Sequence, residues 1–167
     1  MKILFNDDII IVKSAVEKSN GLLNNVDFFN EISNHPSFDL STASPKIIAD
    51  LMKHSNLEFK IEIFYPNVLL VLFKYRKTFA YTDGQFPNTL FLNFKKLNRE
   101  VESIAATIIH ESIHALDDAE DTYTFGHGNN SPIGKDNTAP YWIGNLAYKM
   151  LKNNPMAPLL VFDQLED

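Results

Sequence analysis

The chain has 167 residues, 15 basic and 21 acidic side chains, a net charge of −6, 45% hydrophobic residues and no cysteine. That length fits one domain, and zero cysteine excludes disulfide scaffolds, Cys-type zinc fingers, iron–sulfur clusters and thiol nucleophiles. The acidic balance argues against a nucleic-acid partner, because a broad footprint needs basic side chains to neutralise phosphates.

The opening residues, Met1 to Asp8, place Asp7 and Asp8 where a signal peptide would continue its apolar core. No stretch approaches the ~20 apolar residues of a membrane span. The expectation is a cytoplasmic protein with no membrane partner; secretion by a route without a cleaved signal is compatible with it. Asp7 or Asp8 is expected to cap a helix carrying Ile9, Ile10, Val12 and Val16, with Gly21 near its end. A second helix is expected over 25–32, stopped by Asn34, His35 and Pro36. Ser44 and Pro45 read as an N-cap and a first-turn proline, opening a third helix through Ile47, Ile48, Leu51 and Met52.

Then the period changes. Residues 57–65 alternate Leu57, Phe59, Ile61 and Ile63 against Glu58, Lys60 and Glu62, as a half-buried strand does. Residues 68–73 form an apolar run, 78–81 a short aromatic one, Asp83 and Gly84 a turn, and 89–94 another strand. Lys74, Arg76 and Lys77, with Tyr75 among them, read as a solvated strand face. From Asn98 to Asp118 the pattern is helical. A Gly- and Asn-rich loop covers 125–139, a last helix 140–151, and an apolar tail, 159–162, is expected to pack on the core. The predicted fold class is α+β: a small, mostly antiparallel sheet carrying a central helix, with further N- and C-terminal helices. The single domain, 1–167, divides into a helical part (1–55), a sheet with its helix (56–128), and a loop with a C-terminal helix (129–167).

The chemistry sits in His110-Glu111-Ser112-Ile113-His114, an H-E-x-x-H that arises by chance in roughly one chain of this composition in a hundred. On a helix the two histidines lie one turn apart on one side, so both imidazoles reach a single zinc ion, and Glu111 is placed to take a proton from a water. At ~100° per residue, Ser103, Thr107, His114, Asp117 and Asp118 share a polar stripe with His110, opposite Ile104, Ile108 and Leu116. Zinc needs a third protein ligand. His127, between two glycines, is favoured. Glu120 occupies the third-ligand place of the pattern H-E-x-x-H-x-x-G-x-x-H, but Asp117 stands where that pattern has glycine. Asp117 and Asp118 are placed to orient a ligand imidazole, or to serve as the ligand themselves.

The strand 89–93, the H-E-x-x-H helix and the later His127-Gly128 resemble the SprT-like zinc metallopeptidases, over about residues 89–128. The resemblance implies His110, His114 and His127 as zinc ligands, Glu111 as general base, and a protein or peptide substrate. The chain differs from the DNA-associated members in lacking a basic region and a Cys-type zinc ribbon, so the catalytic core alone carries over and minimal zincin is the safer name. Tyr123 and Tyr141 are the phenols nearest the ligands, candidates for stabilising an oxyanion or simply core aromatics. Asn129, Asn130, Lys135, Asn137 and Thr138 either line a substrate cleft or tie down their loop, the second being the commoner case. His35 and His54 read as a loop residue and a helix C-terminal cation. Strand 89–93, or the one before it, is expected to be an edge along which a peptide adds. Two other functions fit the same residues: a non-catalytic protein stabilised by zinc (or a degenerate zincin), and a peptidase delivered into another cell as an effector.

Overall fold

In the computed structural model, residues 1–66, 78–82, 85–128 and 134–160 are described. In chain order the elements are β1 (Lys2–Leu4), α1 (Ile10–Leu23), α2 (Val26–Asn34), α3 (Pro45–His54), β2 (Glu58–Phe64), β3 (Ala80–Thr82), β4 (Thr89–Asn93), a 3₁₀ turn (Phe94–Lys96), α4 (Val101–Asp118) and α5 (Ala139–Leu151). Helices and one small sheet make this an α+β fold. The apolar run 68–73, the basic cluster at 74–77, the turn at 83–84, and Asn129 and Asn130 lie outside the described residues.

The sheet order is β1-β2-β4-β3. β1 runs parallel to β2, with Ile3 beside Phe59, and β2 parallel to β4, with Ile61 beside Leu90. Only β3 is antiparallel, with Ala80 beside Leu92. The sheet is therefore mixed, and the expectation of a mostly antiparallel one is corrected. Three helices separate β1 from β2, and a crossover of that length returns the chain in the same direction, where a hairpin could not.

Local chemistry explains where α2 and α3 begin. Ser44 accepts a hydrogen bond from the Ile47 amide with Pro45 in the first turn, and Asn25 accepts one from Asp27. Neither Asp7 nor Asp8 caps α1, whose N-cap is Ile9. Asp7 instead accepts from the Asp8 amide, and Asp8 pairs with Lys13 at 2.6 Å. Both carboxylates are committed before the helix begins.

Helix α4 lies at the centre. Every residue from Ser103 to Ile113 is buried, so its polar stripe is covered as well as its aliphatic one. Ile104, Ile108 and Leu116 join a core with Val12 and Val16 of α1, Phe59 and Ile61 of β2, and Leu90 and Leu92 of β4. Ala105 and Ala106 let neighbouring helices come close. Ser19 of α1 donates both to Ala15 in its own helix, at 2.9 Å, and to the Ala105 carbonyl across the interface, at 3.3 Å. On the other side Ala106 packs with Tyr141 and Tyr148 of α5. Of the apolar tail, Leu160 packs with Tyr148 and Ala157, Leu159 is 51% exposed, a correction to its expected burial, and residues 161–162 lie outside the described residues. Among the described residues no helix is long and apolar enough to cross a membrane.

Candidate metal centre

Helix geometry alone sets the first pair. His110 and His114 stand four residues apart on α4, with ring centroids 5.0 Å from each other. The third imidazole arrives from the loop after the helix: the His127 ring lies 4.3 Å from that of His114 and 5.5 Å from that of His110. The Nε2 atoms of His114 and His127 approach to 2.8 Å. Ring nitrogens of all three histidines fall within 4.8 Å of one another. A tetrahedral zinc with Zn–N of 2.0–2.1 Å spaces its nitrogens by about 3.3 Å, so the three donors fit one ion with small ring movements.

The loop reaches back because the last turn of α4 holds it. Asp117 accepts from the amides of Phe125 (2.5 Å) and Gly126 (3.1 Å). Phe125 is wholly buried in the core, and Thr42 and Thr124 exchange backbone and side-chain bonds that fix the loop to the α2–α3 connection. A β-carbon on Gly126 would stand 2.7 Å from Asp117 Oδ2, so this approach requires glycine. Asp117 thus holds the loop that carries His127. Burial raises its pKa, and the two amides oppose the rise.

On the far side the walls come from the segment entering α5. Tyr141 is buried with its ring 4.9 Å from His110 and 5.2 Å from His127. Lys135 is buried and its ammonium donates to the His127 carbonyl. Asn137 donates to Asp39 at 2.9 Å and faces the His35 Nε2 at 2.8 Å, while His35 stacks on Phe38 and meets the Trp142 ring at a tilt. Asn137 and Thr138 therefore tie the loop down, as the commoner reading has it. His35 is more than a loop residue: it joins that loop to the end of α2.

His110 is fully buried, and this burial, followed by the charges of His114 and His127, holds its imidazole well below its ordinary range, with the Pro140 backbone pulling weakly the other way. Neutral imidazole is the form that binds a metal. Glu111, beside it, is also buried. Towards the N-terminus of α4 the same stripe, at Ser103 and Thr107, is met by Arg99 from just before the helix. Its Nη1 donates to Thr107 Oγ1 (2.9 Å) and Ser103 Oγ (3.1 Å), and its guanidinium lies over the Phe79 ring. Burial brings its pKa down to about 10.

The structure brings together His110, His114, His127 and Tyr141. It leaves Asp118, Glu120 and Tyr123 outside the cluster. Asp118 is exposed, Glu120 closes a local turn by accepting from the Thr122 amide at 2.9 Å, and Tyr123 packs on the core. Lys135 as a donor to the His127 backbone carries no signal in the sequence, and only the Gly-His-Gly spelling hints at the close approach of Gly126 to Asp117. Compared with known proteins, the chain gives no significant match to any protein-family model, curated protein or solved structure.

Proposed function

We propose that the protein is a zinc-dependent metallopeptidase of the minimal zincin type, SprT-like in its core, acting on protein or peptide substrates in the cytoplasm. One observation carries this reading: three imidazoles converge to within 4.8 Å on a helix that sets Glu111 beside the first of them. His110, His114 and His127 would hold the ion, leaving one position open. Zinc in such a shell polarises a carbonyl and makes water a nucleophile near neutral pH.

The chain's own residues do the rest. Glu111 takes the proton of the attacking water and returns it to the leaving amine. Tyr141, against two of the rings, is the phenol placed to assist the developing oxyanion, where Tyr123 is not. Among the described residues β4 is internal and β3 is the sheet edge beside α4, so β3 is the strand along which an extended peptide would add.

Burial of His110, Glu111 and His127 favours a second reading, a closed zinc site that only stabilises the fold. His114, only half-buried, gives the opening that catalysis needs. Glu111→Gln separates the two. The variant should keep zinc and fold while losing ~10²–10⁴-fold in cleavage of a peptide library. Undiminished cleavage with retained zinc would remove Glu111 as the base, and a wild type without zinc would remove the proposal.

A further inference from the structure

Lys135 is the group in this region whose burial has the least obvious reason. Lysine is almost never buried unless paired, yet Lys135 is only 9% exposed. Among the described residues no carboxylate pairs with its ammonium, which donates instead to the carbonyl of His127, eight residues earlier. The stem is anchored at its other end. The Lys135 carbonyl accepts from the Thr138 amide at 2.8 Å and the Thr138 hydroxyl at 2.7 Å, and Thr138 is the N-cap of α5.

The backbone is therefore tied on both sides of His127, and by opposite charges. Asp117 takes the amides before it and Lys135 takes the carbonyl after it. The next residue, Gly128, sits at φ 80, a left-handed conformation that glycine adopts freely and also leaves freely. Without a donor on the His127 carbonyl, rotation about this peptide would carry the imidazole away from the other two.

We propose that Lys135 is the positioning residue of the third ligand, fixing the backbone of His127 so that its ring is aimed at the metal before the metal arrives. This rests on the zinc reading above. Charge alone predicts the opposite of positioning: an ammonium near a dication repels it, so removing the lysine would tighten binding. The sign of the effect decides between them.

The test uses the whole chain stripped of metal, with zinc affinity measured by competition against a chromophoric chelator. Lys135→Met should weaken zinc about 10–100-fold, the usual cost of losing a group that orients a ligand. Lys135→Arg, which keeps charge and donors, should restore most of the affinity. Cobalt(II) added as a probe should show weaker visible absorption per bound ion in Lys135→Met, because with His127 no longer held in place extra waters can enter and take the ion beyond four ligands. If Lys135→Met does not fold, Lys135→Gln is read in the same way. Zinc bound by Lys135→Met as tightly as by wild type, or more tightly, overturns the proposal. So does an equal loss in the Met and Arg variants with an unchanged cobalt spectrum, since that is a packing effect. A wild type that holds no zinc overturns this proposal together with the proposed function, whereas the other two failures leave that function standing.

Discussion

Around His127 the decisive contacts are made with backbone, and each has its own signature on mutation. His127→Ala removes a donor and should cost zinc affinity far more than any neighbour does. Asp117→Ala leaves the donor but frees the amides of Phe125 and Gly126, an orienting loss of about 10–100-fold. Gly126→Ala should match it by another route, since a methyl 2.7 Å from Asp117 Oδ2 must displace that carboxylate. Asp118→Ala, at an exposed position, should change nothing. Zinc titrations on the four variants check the order, and metal loss in Asp118→Ala with retention in His127→Ala would reverse the ligand assignment. The pH dependence belongs to His110. Its folded pKa is lowered by burial below the ordinary 6.5, so below about that pH the unfolded chain binds a proton that the folded chain refuses. Stability of the metal-free protein should therefore fall as pH drops through 6.5. Urea midpoints at two pH values measure this, and His110→Ala should flatten the slope.

At the scale of elements, legibility tracked how local the determinants were. α3 was readable because Ser44 and Pro45 are its own N-terminus, and β4 because its alternation matches its pleat. The His110–His114 pair was readable because helix spacing alone brings the two together. His127 is legible from its glycines, but the hold of Asp117 on its loop is not, since which amides Asp117 meets depends on a chain reversal. β1 went unread: three residues make no pattern, and its partner lies beyond three helices. The parallel pairings were unreadable for the same reason. Arg99 joins the residue before β3 to the start of α4 and gives this scale its own prediction. Its guanidinium has no acidic partner among the described residues, and Nε and Nη2 have no hydrogen-bond partner there. Replacing a buried uncompensated charge by an apolar side chain of similar volume is often neutral or stabilising, by roughly 1–4 kcal/mol. Arg99→Met should then hold or raise the melting temperature. A fall of several degrees would show that the bonds to Ser103 and Thr107 outweigh the desolvation.

At the scale of the whole molecule, the histidine cluster is where distant parts of the chain meet. α4 supplies two histidines, the following loop supplies the third, and the loop is bonded to residues 39 and 42 in the α2–α3 connection and to the N-terminus of α5. An ion bound there would tie α4 directly to that loop. Binding confined to the folded state adds RT ln(1 + [L]/Kd), which is ~2.7 kcal/mol at a hundredfold excess over Kd and ~4.1 kcal/mol at a thousandfold. For a chain of this length 1 kcal/mol corresponds to roughly 2–4 °C. Chelation should therefore lower the melting temperature by about 5–16 °C, and added zinc should restore it. Glu111→Gln should show the same shift, because the carboxylate is not among the three donors. His110→Ala should show little or none. Calorimetry of the wild type and both variants, with and without chelator, makes the comparison. A wild-type melting curve that chelator leaves in place would mean that the folded chain gains nothing from the ion, and the three converging imidazoles would then be a packing arrangement rather than a metal centre.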